Sequence, residues 1–255
     1  MKAIPQPKTA QIFDRINALQ TTTSHYFNSA QLTPLVREWR ATKTEIDSIM
    51  KVDACAAWEA AGAWKGLAGD VAGTETAFAN SVRLGNSGSN RENWMINRLN
   101  LGLFSAAQSL YAVTGHPEAG YFTLLLEVGY KAGAIGQAAS FIERAREMRI
   151  NWDENQVQEV MKANAILRHA GISDQQIGRQ LDVAGAVLRR YQIRPNASVL
   201  VTSAADFFSG VTYALAVPVG AEKAFDMNVE LAREEDKAGI NKNVAFDVVF
   251  EAAAS

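Results

Sequence analysis

The chain offers few side chains of the kind that carry out chemistry. Its histidines are His25, His116 and His169, and its one cysteine is Cys55. No histidine has a second histidine, a cysteine or a carboxylate at a ligand interval such as i, i+4, which would put two donors on one helix face. His116 stands before a proline in Thr114-Gly115-His116-Pro117 and reads as a turn residue, while His25 and His169 fall near helix ends, where capping is the expected role. A cysteine nucleophile needs exposure and a neighbouring base. Cys55 lies instead in Ala54-Cys55-Ala56-Ala57 and reads as a small buried apolar residue. There is no Gly-x-x-x-x-Gly-Lys-Ser/Thr, and the glycine-rich stretch from Gly129 to Gly136 joins two helical segments rather than a strand to a helix, so no phosphate cradle is expected. The run Glu234-Glu235-Asp236 reads as the wet side of a helix. These residues point away from an enzyme and give no catalytic, cofactor or metal site.

One segment resembles a helix-turn-helix. Ile177-Gly178-x-x-Leu181-Asp182-Val183 is followed by Leu188-Arg189-Arg190-Tyr191. The resemblance implies a DNA-associated regulator acting through residues 173–194, with Arg189, Arg190 and Arg194 reaching phosphates. Asp182 stands where the motif usually has its turn glycine, and Gly178 where it usually has alanine. Ile177, Leu181, Ala184, Leu188 and Tyr191 also continue one helical stripe without interruption. A single helix is the preferred reading, and DNA association the alternative.

The elements that must position any site are legible from composition and periodicity. The chain has 255 residues, 48% hydrophobic and 20% charged, with a formal charge of -2, values of a globular protein and not of a strongly basic nucleic-acid binder. The N-terminus has no apolar core of signal-peptide length, and the richest apolar stretch, Ala214 to Ala221, is broken by Pro218. A soluble, cytoplasmic protein without membrane contact is the expectation.

From about residue 8 to 192 the pattern is helix after helix. Ile12, Phe13, Ile16 and Leu19 share one face, as do Leu35, Val36, Trp39, Ile46, Ile49 and Met50 behind the Thr33-Pro34 start signal. Ser89 with Glu92 and Ser173 with Gln176 have capping-box spacing, and Asn151 with Glu154 is a looser version. In the window whose first position is Cys55, Trp58, Gly62, Gly69 and Phe78 fall at positions 4, 8, 15 and 24; in that whose first position is Ala119, Phe122, Leu125, Gly133, Ala138, Ile142 and Ala145 fall at positions 4, 7, 15, 20, 24 and 27. This resembles a degenerate tetratricopeptide repeat over residues 55–152. Ala61, Lys65, Thr74 and Leu126 depart from that pattern, and Asn93 to Val113 fits it poorly, so an irregular helical bundle is the alternative. The resemblance implies a scaffold or adaptor that recognises a protein or peptide, with Glu59, Thr123, Glu127 and Tyr130 as inward-facing contacts.

After Pro195 the period becomes two. Val199-Leu200-Val201 opens an apolar run; Val211, Tyr213, Leu215 and Val217 alternate, as do Phe246, Val248 and Phe250. Between them Ala221, Ala224, Phe225, Leu231 and Ala232 form one helical stripe that Gly239 ends and Asn228 interrupts. Buried, Asn228 needs hydrogen-bond partners. Phe207 and Phe208 lie in a short strand connection, so one of them is a candidate contact residue. The expected fold is mainly α with a C-terminal α+β unit: antiparallel helix pairs over 8–192, then strand, strand, helix, strand over 193–255 as a small antiparallel sheet with a covering helix. Protein or peptide partners are expected, with a homo-oligomer open and nucleic acid not favoured.

Overall fold

The computed structural model describes residues 8–85, 89–114, 122–149, 154–204 and 208–253. Among them the order is α1 (Lys8–Thr22), α2 (Pro34–Ile49), α3 (Ala54–Gly66), α4 (Val71–Leu84), α5 (Asn90–Asn100), α6 (Phe104–Thr114), α7 (Phe122–Lys131), α8 (Ile135–Glu147), α9 (Glu154–His169) and α10 (Asp174–Arg190). Then come β1 (Ala197–Ala204), β2 (Phe208–Val217), α11 (Ala221–Lys237) and β3 (Phe246–Ala252). The protein is mainly α with a C-terminal α+β unit. Packing does not divide it where the period changes: one compact unit comprises residues 1–101 with 192–194, the other 102–191 with 195–255. The switch near 193 marks a change of secondary structure, and the sheet packs with helices that precede that switch.

In the first unit, polar side chains start the helices. Thr33 accepts the Val36 N–H, Asp53 that of Ala56 and Asp70 that of Gly73. The core gathers Ile12, Ile16 and Leu19 of α1, Val36, Trp39, Ile46 and Ile49 of α2, and the alanine face of α3. Trp39 and Trp64 stack at 4.4 Å, each indole N–H donating to the other's backbone carbonyl, so their one polar group is satisfied in the core. Helix α3 meets α4 closely because Gly62 has no side chain; a Cβ there would stand 2.6 Å from the Phe78 ring. The turn between them passes through Gly69 at φ +72°, a conformation that favours glycine. Gly62, Gly69 and Phe78 thus form the contact and the turn between α3 and α4, and α5 packs on both helices of the pair. The second window has the same turn device in Gly133 at φ +76°, with Leu126, Ala138 and Ile142 buried between α7 and α8. Asn151, Trp152 and His116 lie outside the described residues.

The second unit is arranged around α10. Ser173 and Gln176 close a capping box at its start. Asp174 then accepts the N–H groups of Gly136 and Gln137, capping α8, and Asp182 accepts that of Ser105, capping α6. Opposite α6, a Cβ on Gly185 would fall on the Gly102 carbonyl, and one on Gly178 would lie 2.7 Å from Gln108 Oε1. The residues that resembled a helix-turn-helix are therefore one unbroken helix, with Gly178 small for packing and Asp182 a cap for a neighbour. Their arginines are engaged: Arg189 donates to the Gly102 carbonyl, Arg190 pairs with Glu230 and Glu234, and in the first unit Arg194 donates to the Gln20 carbonyl.

The sheet order is β1-β2-β3, antiparallel between β1 and β2 but parallel between β2 and β3. The expected all-antiparallel sheet is corrected here. Helix α11 carries the chain back to the end where β2 began, so β3 must run in the same direction as β2. The helix stripe is also corrected. Ala224, Met227, Leu231 and Glu235 are its buried residues, whereas Phe225 is 67% exposed. Glu235, expected on the wet side, accepts from Gln180 at 2.8 Å and pairs with Lys242 at 2.7 Å. Asn228 has the partners burial demands: it accepts the Phe250 N–H and donates to the Phe250 and Ala224 carbonyls.

The close approach at Gly185 gives a stability prediction. Gly185→Ala must push α6 and α10 apart and is expected to cost about 1–3 kcal/mol, with a matching fall in Tm. Gly220→Ala, where a Cβ meets nothing within 4 Å and only the N-cap preference of α11 is touched, is expected to cost less than about 1 kcal/mol. Urea melts of both variants check the contrast.

Candidate functional site

The four residues carried over from the repeat resemblance are not brought together on an open face. Glu59 is 1% exposed, and its carboxylate accepts from Ser89 Oγ at 2.9 Å and Asn93 Nδ2 at 2.6 Å. The capping residue Ser89 thus spends its hydroxyl on Glu59 and not on its own helix. Tyr130 is likewise buried, with its carbonyl accepting the Tyr213 hydroxyl and burial raising its phenol above the usual tyrosine range. Both are corrected from contact residues to interior ones. A four-residue offset puts a side chain on the same helix face as its partner, and here that face is packed. Glu127 is exposed and pairs with Lys131 one turn on. The side chain of Thr123 and the whole of Phe207 lie outside the described residues.

Phe208 is the member of the sequence-derived set that stands at a surface concavity. It begins β2, is 46% exposed, and lies over Gly210, whose missing Cβ would otherwise sit 2.6 Å from the ring tip. Beside it runs an open groove of about 520 Å³ lined by Ala165, Ile166, His169 and Ala170 from the end of α9, by Ala204, Phe208 and Ser209 where β1 gives way to β2, and by Ala245. Its lining combines small side chains, an aromatic ring, an imidazole and a hydroxyl. His169, read as a capping residue, therefore also lines the groove. Its other lining residues were not singled out from sequence, because alanines at a helix end carry no signal until a strand is laid beside them.

Other polar groupings serve the interior. Cys55 is only partly buried, and its thiol meets the Ser81 carbonyl at 3.5 Å and Ser81 Oγ at 3.6 Å, so it is a polar joint between α3 and α4 and not an apolar filler. Asn90 reaches Ser81 Oγ at 3.1 Å and the Gly85 carbonyl at 3.0 Å. Among the described residues no group of three or more His, Cys, Asp or Glu is placed to hold a metal ion, and no helix is long and apolar enough to cross a membrane. A cavity of about 410 Å³ lies beside Tyr111, Gln137, Arg144 and Asp174, but the Asp174 carboxylate already takes the N–H groups that α8 would offer an anion there. No family model, curated protein or solved structure matches the chain.

The strongest electrostatic cluster joins α4 to α5. Glu75 accepts from Trp94 Nε1 at 2.9 Å and from Arg98 Nε at 2.9 Å and Nη2 at 2.6 Å, while the guanidinium lies 4.4 Å from the Trp94 ring centre. Burial by itself would raise the Glu75 carboxyl, but the hydrogen bonds from Arg98 and Trp94, with the Arg98 charge, outweigh it and hold the group below its ordinary value of 4.5. A folded pKa below the unfolded one stabilises the protein above the unfolded value, and that contribution is lost as pH falls through the folded value. Glu75→Gln is therefore expected to be less stable than wild type at neutral pH, with the gap closing under acid. Denaturant melts of both proteins across the acid range measure it.

Proposed function

We propose that the chain is a non-enzymatic scaffold that holds a protein or peptide partner in the groove beside Phe208. The observation that carries this reading is an open, mainly apolar groove beside an exposed aromatic ring. Ala165, Ala170, Ala204 and Ala245 leave room for an apolar side chain, and Phe208 gives it an aromatic wall. Burying one such anchor contributes about 1.5–3 kcal/mol, the scale on which a few residues dominate a protein contact. His169 and Ser209 line the same groove and offer hydrogen-bonding groups to the polar backbone beside such an anchor. The segment resembling a helix-turn-helix carries one continuous helix, Asp174–Arg190, whose Arg189 and Arg190 bond to neighbouring groups, which favours the scaffold reading over DNA association.

The test uses the full chain. Ala165 is exposed, so Ala165→Glu puts a charge on the groove without entering the core. A photo-crosslinking residue in place of Phe208 is expected to trap a discrete protein from native lysate, and adding Ala165→Glu is expected to cut that product at least about tenfold. Undiminished trapping by a variant of unchanged Tm and circular dichroism refutes the groove reading.

A further inference from the structure

The two edges of the small sheet are treated differently. At the β3 edge, the Asn228 side chain pairs with both the N–H and the carbonyl of Phe250, as a neighbouring strand would. At the other edge, β1 has β2 on one side only. Its residues Ala-Ser-Val-Leu-Val-Thr-Ser-Ala contain no charge and no proline, the devices that ordinarily keep an edge strand from pairing.

Hydrogen-bond parity gives the direction of each backbone group. Residues of β1 and β2 pair so that Ala197 faces Leu215 and Thr202 faces Gly210, and the Ala216 N–H bonds to the Asn196 carbonyl in that register. In an antiparallel pair, bonded residues alternate with unbonded ones. Ser198, Leu200 and Thr202 therefore bond to β2, while Ala197, Val199, Val201 and Ser203 turn their N–H and carbonyl groups to the outer edge. Among the described residues no strand meets that edge. On the solvent side, Leu200, 48% exposed, stands near the middle of the strand.

We propose that two copies of the chain join by antiparallel pairing of β1 with β1 about a twofold axis at Leu200, making a continuous six-stranded sheet. This edge is complementary to itself. With Leu200 opposite its own copy, Val199 faces Val201 and Ala197 faces Ser203, so each outward backbone group meets one of the opposite kind. Leu200 then falls in an unbonded pair, where cross-strand side chains come closest, and the two leucines cover each other. A strand of opposite direction but other sequence would satisfy the same hydrogen bonds, yet would not need an apolar residue at the centre. A second copy places one there. An eight-residue edge makes a small interface, so the dimer is weak, with Kd on the order of 10 micromolar.

Sedimentation equilibrium of the full chain is expected to show a mass rising from 27.7 kDa towards twice that value with concentration. Val201→Pro removes an outward N–H without touching the ladder to β2, and is expected to abolish the rise with the far-UV circular dichroism of the fold retained. Leu200→Lys, at an exposed position, sets two like charges face to face and is expected to weaken association at least about tenfold, with partial recovery in high salt. In a Cys55→Ala background, Leu200→Cys is expected to form a disulfide dimer under mild oxidation, because facing residues of an unbonded pair lie within disulfide reach, and Phe225→Cys, exposed on α11, is expected to stay monomeric. A mass that remains 27.7 kDa up to about 500 micromolar, or a dimer that Val201→Pro and Leu200→Lys leave intact, overturns the proposal. Ala165→Glu in the partner groove leaves this association unchanged, so the two readings fail separately.

Discussion

Where α6 meets α10, one backbone occupies the place of a side chain. The Gly102 carbonyl lies where a Cβ on Gly185 would stand, and Gly102 itself turns the chain at φ +64°. That approach leaves the remaining faces of α10 for other duties. Its first turn caps α8 through Asp174, its middle caps α6 through Asp182 and grips α11 through Gln180, and its end pairs with α11 through Arg190 and Tyr191. The sheet is reached one helix further on: α7 and α9 both pack on α8 and also pack on the strands, with the Tyr213 hydroxyl bonded to the Tyr130 carbonyl. The groove beside Phe208 lies where α9, packed on α8, meets the start of β2.

The first unit is joined differently. Beside its apolar core, α3, α4 and α5 share a polar seam: Cys55, Glu59, Ser81, Ser89, Asn90 and Asn93 bond across the three helices, and Glu75, Trp94 and Arg98 close its outer margin. Apolar contacts tolerate small slips of one helix on another more readily than hydrogen bonds do, and these bonds hold in one register only. A helix pair that meets largely through alanine and glycine can therefore still pack in a single arrangement.

The sheet shows how one helix can settle topology and protection together. By returning the chain, α11 makes β3 parallel to β2, and by presenting Asn228 it closes the β3 edge at Phe250. Nothing in the described residues does the same for β1, and the self-complementary edge follows from that asymmetry.

Helix positions were legible in the sequence because capping residues, apolar spacing and turn glycines act over a few residues: Thr33-Pro34, Ser173 with Gln176, Gly69, Gly133 and Gly239 all act as their local chemistry requires. The strands after 195 were legible from alternation for the same reason, and the demand of Asn228 for partners followed from its polarity alone. Tertiary structure decided which faces met. Glu59 and Tyr130 have the spacing of groove residues but are covered by neighbouring segments, Glu235 leaves the wet side to join Gln180 and Lys242, and Phe225 leaves the buried stripe. The direction of β3 depended on where α11 delivers the chain, and the Phe208 groove on α9 lying beside a hairpin more than thirty residues away. Local periodicity reports that a face is apolar or polar; only the packed neighbours determine whether it meets protein or water.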